Sequence, residues 1–345
     1  MLVMKFGGTS VGSAERMRAT AEIIRQSTDD HTVVVMSAMC GATNGLIDIA
    51  DNGATPDRLL ERHAATVEAL GLPSSVMRHI RDVLAAASTR SETIACGELF
   101  STAIMLAYLY KQGMDAAWLP ALDYMRIDPD GNPLVEDTAA RARALLRQKG
   151  AHRICITQGF IGRDGEGRTA TLSRGGSDFT ATLLGEALGA TEVQIWTDVD
   201  GVYTADPRIV SAARCIPTLS YSLADTAARL GAKILHPDCV RPVMRTGCRL
   251  RVLDSFHPQA PGTLIHGTCD AAGFVAVACT ADGATARVSI IGNRPDVSVS
   301  DVSELLGSAP ATAGADHITA TVDAADADEA VRTLHKYFIE QRKPI

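Results

Sequence analysis

Short apolar runs recur along this chain, each separated from the next by a stretch of helical periodicity. That alternation restricts the fold more than any other feature. TVVVM (32–36) is β-branched without a polar break, the pattern of a strand buried on both faces. Before it, LVMKF (2–6) ends at Gly7-Gly8, and Ala14, Met17, Ala21 and Ile24 then repeat at helical spacing. The same spacing predicts helices near 56–71 and 75–87, and the stretch Glu98–Lys111 is apolar almost all round, as in a buried helix. AAWLPAL (116–122) and RICITQGFIG (153–162) read as strands, with turn chemistry at DPDGNP (128–133) and a helix over 138–148 between them. DGEG (164–167) makes a hairpin turn before TATLS, a helix begins after Gly176, and the strand EVQIWTD (192–198) follows. Helices near 222–230 and 239–246 and the strand RLRVLDS (249–255) complete the series. Strands alternating with helices over about 260 residues predict an α/β fold with a mainly parallel central sheet between helical layers.

Composition changes near Pro261-Gly262. Beyond it come strands FVAVACTA, ARVSIIG and HITATVD, a short helix near Asp301–Leu306 and the helical DADEAVRTLHKYF, a small α+β unit. The domain boundary is set at 265/266. With 345 residues, a large domain and a small one both fit.

Only 4% of the residues are aromatic, the formal charge is −7 and no long basic run occurs. Both features argue against a nucleic-acid partner. The eight cysteines (40, 96, 155, 215, 239, 248, 269, 279) show no C-x-x-C pair, so they read as buried apolar residues or free thiols in a reducing compartment. The start MLVMKFGGTS reaches a glycine pair too soon for a signal core, and no apolar run approaches the roughly 20 residues that span a membrane. A cytoplasmic location is expected.

Four clusters carry chemistry. Lys5-Phe-Gly-Gly-Thr-Ser10 sits where a strand ends and a helix begins. Two glycines let the backbone approach an anion, and Lys5 adds a positive charge. The same pair also serves as a plain turn, and the usual P-loop pattern is absent. Thr171-Leu-Ser-Arg-Gly-Gly-Ser-Asp178 supplies a cation at Arg174, two glycines, a hydroxyl at Ser177 and a carboxylate at Asp178. Arg174 suits bidentate capture of a carboxylate, and Asp178 suits holding Lys5; the alternative is that Ser177 or Asp178 caps the next helix. The segment 196–208 (WTDVDGVYTADPR) is a polar loop at a strand's carboxyl end, suited to a nucleotide or to turns alone. In GAKILHP (231–237), Lys233 is a second phosphate cation or a surface lysine.

These residues resemble the aspartokinases of the amino-acid kinase family, through KFGGTSV (5–11), VVVMSAMCGATNGL (33–46), CGELFS (96–101), GFIGRDGEGRTATLSRGGSDFTA (159–181), WTDVDGVYTADPR (196–208) and LGAKILHP (230–237). The resemblance runs in order through nearly all of residues 3–265. It implies the amino-acid-kinase fold over residues 1–265, a single ACT-like domain over 266–345, and transfer of the ATP γ-phosphoryl group to the β-carboxylate of L-aspartate. That reaction opens lysine, threonine and methionine biosynthesis. It also implies Mg²⁺ with the ATP, small-molecule partners only, and a homodimer.

By position, Lys5 would stabilise the moving phosphoryl charge and Asp178 would orient Lys5. Gly7, Gly8, Thr9 and Ser10 would surround the phosphates. Ser37, Thr43, Glu98, Phe160, Arg174 and Ser177 would hold the substrate, with Glu98 on its amino group and Arg174 on its α-carboxylate. Thr197, Asp198, Tyr203, Asp206, Arg208 and Lys233 would hold the nucleotide.

Elementary chemistry agrees. A carboxylate nucleophile with a pKa of roughly 3.9 is ionised at neutral pH and requires no general base. Phosphoryl transfer depends on positioning and charge neutralisation. Glu98, just before an apolar helix, calls for a cation if buried; a solvent-facing glutamate at a helix start is the alternative.

Two departures stand out. Ser173 replaces the expected glycine of the family's GRGGSD stretch, and the C-terminal region has room for one ACT domain where the family usually carries two. GNRPDVSVSD also lacks a Pro-Gly start, so dimerisation or covering is favoured over effector binding. A kinase for another acidic amino acid and an inactive amino-acid sensor are the alternative functions. A dinucleotide oxidoreductase fails for want of G-x-G-x-x-G after any strand.

Overall fold

Each predicted apolar run becomes a strand in the computed structural model, which describes residues 1–26, 31–149, 152–173, 175–232, 235–267, 273–293 and 297–341. In chain order the elements begin with β1 (Leu2–Phe6), α1 (Ala14–Gln26), β2 (Thr32–Met36), α2 (Ala42–Asn52), α3 (Asp57–Ala69), α4 (Ser74–Ala86), α5 (Arg90–Lys111), β3 (Ala116–Trp118) and α6 (Ala121–Tyr124). Next come α7 (Val135–Gln148), β4 (Ile154–Gln158), β5 (Ile161–Arg163), β6 (Thr169–Thr171), α8 (Gly176–Leu188), β7 (Glu192–Thr197), β8 (Thr218–Ser220), α9 (Tyr221–Arg229), α10 (Pro237–Thr246) and β9 (Arg249–Asp254). The C-terminal part holds β10 (Thr263–His266), β11 (Gly273–Asp282), β12 (Thr285–Asn293), α11 (Val299–Leu305), β13 (Ala311–Ala313), β14 (His317–Asp323) and α12 (Ala327–His335).

The chain forms two compact units. Met1–Val199 with Cys248–Ala260 makes one, and Asp200–Gly247 with Pro261–Ile345 the other. Residues 200–247 thus group with the C-terminal residues, across the compositional boundary at 265/266.

In the first unit six strands pair in the order β3-β4-β2-β1-β7-β9, all parallel. β1 and β2 lie at the centre with every residue buried, which is why their sequences are apolar without alternation. Leu2, Met4, Phe6, Val34, Met36 and Ile156 face one way, into a core shared with α1 to α5. Side chains alternate along a strand, so Val3 and Lys5 face the other way. There α8 packs on β1, β2 and β7, and α7 packs on α8. A hairpin of β5 and β6 branches off after β4.

α5 is the central helix of the first layer. Thr89 and Glu92 form a capping box at its start, so Glu98 lies two turns inside the helix and not at its beginning. By length and composition α5 could cross a membrane, which corrects the sequence reading that no run comes near such a span. Yet 61% of its most apolar stretch is buried within the protein, as for a core helix.

In the second unit β8 and β10 pair in parallel. An antiparallel sheet runs β11-β12-β14-β13, with α11 and α12 packed on it. This is the ACT-like layer expected from the sequence. Its core of Val277, Val288, Ile290, Leu334 and Phe338 also takes in Ala205 and Val210.

Candidate active site

Parallel strands end together, and here four of them present their carboxyl ends as one ledge. Gly7 N–H donates to the Trp196 carbonyl at 3.0 Å, Ser37 N–H to Phe6 O at 3.1 Å, and Gly159 N–H to Met36 O at 2.9 Å. Gly7, Ser37 and Gly159 therefore follow β1, β2 and β4 in register, beside Thr197, the last residue of β7. Crevices at such ends are the usual ligand sites of open α/β sheets.

Lys5, 8% exposed, points to the α8 side. Its Nζ lies 2.7 Å from Oδ1 of Asp178, in the first turn of α8. The ammonium also lies over Gly7, where a Cβ would sit 3.3 Å from Nζ. A side chain there would compete with the cation for space. At Gly8 a Cβ would lie 2.8 Å from the Ala38 carbonyl oxygen, so this glycine permits the β1 and β2 loops to touch. Thr9 is half-buried beside them.

α8 starts at Gly175 in the left-handed conformation (φ 69°), with no side-chain cap. Neither Ser177 nor Asp178 is the cap; both lie inside the first turn. Ser177 packs on Gly159 so tightly that a Cβ on the glycine would lie 2.3 Å from the serine Cβ. Phe160 holds a positive φ of 65°, and its N–H donates to Thr180 Oγ1 of α8 at 2.9 Å. The positive end of α8 is thus fixed over the strand ends, a place that favours anions.

From the opposite layer α5 contributes Glu98, which is 3% exposed. Its Oε1 accepts from Ala38 N–H at 3.3 Å, while Oε2 has no hydrogen-bond partner among the described residues. Burial pushes this carboxyl up to about 7. A buried acceptor without a donor is costly, and an ammonium ligand would satisfy it. Ser101, one turn on, donates to the Ser37 carbonyl at 2.7 Å and fixes that loop. Thr43 lies half-buried in the first turn of α2, after Gly41 at φ 77°.

Ser10 has a different role from the phosphate contact expected of it. It is 0% exposed, its hydroxyl lies 2.7 Å from Ser255 Oγ, and its carbonyl accepts from Thr20 Oγ1 at 2.8 Å. Ser255 in turn donates to Thr197 O at 2.9 Å and accepts from Arg16 Nη2 at 3.0 Å. Ser10 is therefore an anchor of the glycine loop. Ser255 and Arg16 were not singled out from the sequence. A serine directly after the apolar strand β9, in register with the β7 exit, was the available signal.

The first unit brings together Lys5, Gly7, Gly8, Ser37, Glu98, Phe160, Ser177 and Asp178, with Thr197 and Asp198 at the β7 exit. Thr197 Oγ1 donates to Asp198 Oδ1 at 3.1 Å. Tyr203, Asp206 and Arg208 belong to the second unit. There Tyr203 donates to Asp200, and Arg208 pairs with Asp206 at 2.5 Å while staying 76% exposed. Arg174 and Lys233 lie outside the described residues. Among the described residues no group of three or more His, Cys, Asp or Glu side chains is placed to hold a metal ion.

The sequence and the fold both have known relatives. Residues 1–254 match the Amino acid kinase family. The lysine-sensitive aspartokinase 3 of Escherichia coli is 38% identical over 77% of this chain and 64% of its own length. The chloroplastic aspartokinase 1 of Arabidopsis thaliana is 36% identical over 78% of this chain and 52% of its own length. The chain thus spans between about half and just under two thirds of these relatives. Among solved structures, E. coli aspartokinase III with aspartate and ADP superposes with a TM-score of 0.84, at 28% identity over 99% of this chain and 100% of that one. The same enzyme with lysine and aspartate gives 0.77, at 28% identity and the same coverage. A buried lysine paired with a half-buried aspartate at the strand ends of a parallel sheet and a family match over the first 254 residues lead to one conclusion: this chain belongs to the amino acid kinase family.

Proposed function

We propose that the chain transfers the γ-phosphoryl group of ATP to the β-carboxylate of L-aspartate, giving 4-phospho-L-aspartate. The observation that carries this reading is the Lys5–Asp178 pair at 2.7 Å, set where four strand ends meet the positive end of α8. The E. coli relative that superposes on the chain binds aspartate and ADP, which supports the same ligands here.

In this reading Lys5 draws charge from the β- and γ-phosphates as the P–O bond lengthens, and Asp178 keeps the ammonium aimed at it. The loop Gly7–Gly8–Thr9 lines the phosphate path, with Gly7 N–H held by Trp196 O and Ser10 anchoring the loop from below. The substrate ammonium pairs with Glu98, whose free oxygen otherwise lacks a partner. Arg174 takes the α-carboxylate, while Ser37, Thr43, Phe160 and Ser177 shape the pocket around the reacting carboxylate. The acceptor is already an anion, so no protein base is needed. Thr197, Asp198, Tyr203, Asp206, Arg208 and Lys233 hold the nucleotide, and Mg²⁺ would accompany it and offset phosphate charge. Residues 1–265 form the catalytic domain in this assignment, 266–345 the ACT-like domain, and the protein works as a cytoplasmic homodimer.

Coupled ADP release with ATP and L-aspartate, with the acyl phosphate trapped as its hydroxamate, tests the proposal. Aspartate-dependent ADP release and an aspartyl hydroxamate are expected. Turnover with glutamate but not aspartate, or no turnover at all, contradicts it.

A further inference from the structure

His335, at the end of α12, is 1% exposed and takes no part in the chemistry above. Its Nε2 lies 2.8 Å from Thr204 Oγ1, and its Nδ1 lies 2.8 Å from Glu340 Oε1. Glu340 follows in the π-helical turn that continues α12. An ionised carboxylate only accepts, so Nδ1 carries a proton, and Nε2 is bonded to the Thr204 hydroxyl.

Thr204 is held at every polar atom. Its N–H donates to Arg214 O at 3.0 Å and its carbonyl accepts from Val277 N–H of β11 at 2.7 Å. Its hydroxyl accepts from Arg214 N–H at 3.1 Å and is also bonded to His335. The next residue, Ala205, is buried in the core of the antiparallel layer with Val210. Tyr203 precedes this anchor, and Asp206 and Arg208 follow it within four residues. The loop assigned to the nucleotide is therefore fastened from behind by the C-terminal layer, through one strand and one buried histidine.

We propose that His335 and Thr204 are positioning residues for nucleotide binding, so that the C-terminal layer sets the affinity of the loop 203–208 for the adenine nucleotide. This deepens the assignment of Tyr203, Asp206 and Arg208 and rests on it. The link acts through loop geometry, since the polar atoms of both buried side chains are already bonded within the protein.

The test uses the full chain and ADP as the probe, by titration calorimetry, with KM for ATP and for aspartate measured in parallel. Thr204→Val removes the hydroxyl at nearly constant volume, Thr204→Ser retains it, and His335→Gln offers an amide where Nε2 stood. In Thr204→Val the Kd for ADP and the KM for ATP should rise roughly three- to tenfold, the size of one lost buried hydrogen bond. KM for aspartate should stay at the parent value, and Thr204→Ser should restore ADP affinity. Glu340→Gln, at a partly exposed position, serves should the buried variants fail to fold; it should raise the ADP Kd in the same direction by a smaller factor.

Parent protein that binds no ADP overturns the nucleotide assignment, and this inference with it. Parent protein that binds ADP, with a folded Thr204→Val variant of equal ADP affinity, overturns the inference alone. So does an equal rise in both KM values, which marks a general structural role.

Discussion

Lys5 and Glu98 are both ionisable side chains enclosed by the first unit, but among the described residues only Lys5 has a counter-ion there. Lys5 faces Asp178, so removing the ammonium takes that partner from the carboxylate and, in the proposed reaction, the cation assigned to the phosphoryl group. Lys5→Ala is expected to lower turnover by about 10²–10³-fold, the usual effect of deleting one charge-stabilising donor, with KM for aspartate nearly unchanged. Steady-state kinetics on folded variant protein check this; near-parent turnover would remove Lys5 from its role.

Glu98 behaves oppositely, because burial raises its pKa from 4.5 to about 7. The folded chain holds this proton more tightly than the unfolded chain. The stability linked to it is complete below pH 4.5 and disappears as pH rises through about 7. Glu98→Gln cannot ionise, and should gain stability over the parent on the order of 1–3 kcal/mol at pH 8 but little at pH 4. Thermal melts at the two pH values decide it, and a parent–variant gap that ignores pH would contradict the burial effect. In the parent, KM for aspartate should fall between pH 6 and 8 as the carboxylate becomes available to the substrate ammonium.

Among the elements, the junction between β4 and α8 is the tightest in the site. Gly159→Ala would place a Cβ within 2.6 Å of the Ser177 Cα, a backbone-level clash that no rotamer relieves. Destabilisation of about 1–3 kcal/mol is expected, with loss of turnover as α8 is pushed off the strand ends. Urea denaturation measures the first effect, and an unchanged midpoint would show that α8 can move freely.

Elements were legible where pattern and burial agree, as at TVVVM, EVQIWT and RLRVLD. They were not where a turn is written in backbone angles. RICITQGFIG reads as one strand, yet it breaks at Gly159–Phe160 because Phe160 adopts φ 65°. AAWLPAL stops at Trp118, since Pro120 leads instead into the short α6. α2 went unread because Asn, Asp and Gly45 dilute its helical signal, although Leu46 is fully buried. In the site, residue types pointed to Lys5 and Asp178, while Glu98 came from the family resemblance. The anchoring of Ser10 by Ser255 depends on strands 245 residues apart, which no local pattern encodes.

At the scale of the whole molecule, α5 organises the first unit: α1, α2, α4 and strands β2, β3 and β4 all pack on it. Its backbone amides, with those of β1 and β2, should be among the slowest to exchange with deuterium, and the α11 and β13 region much faster. Mass-spectrometric exchange maps test this. Rapid exchange across α5 would mean that the helix is not the stable centre its burial indicates. The antiparallel layer of the second unit carries a separate expectation. Because GNRPDVSVSD lacks a Pro-Gly start, aspartate-dependent turnover should be insensitive to millimolar lysine, measured in the coupled assay.

Cys40 offers a practical handle. Its backbone is clamped, with N–H donating to Gly8 O at 3.0 Å and its carbonyl taken by Arg62. Its thiol is nevertheless exposed, unlike the other cysteines among the described residues, which are buried or half-buried. An environment-sensitive dye coupled there would ride on a rigid mount beside the glycine loop, reporting occupancy by fluorescence in real time without any enzymatic readout.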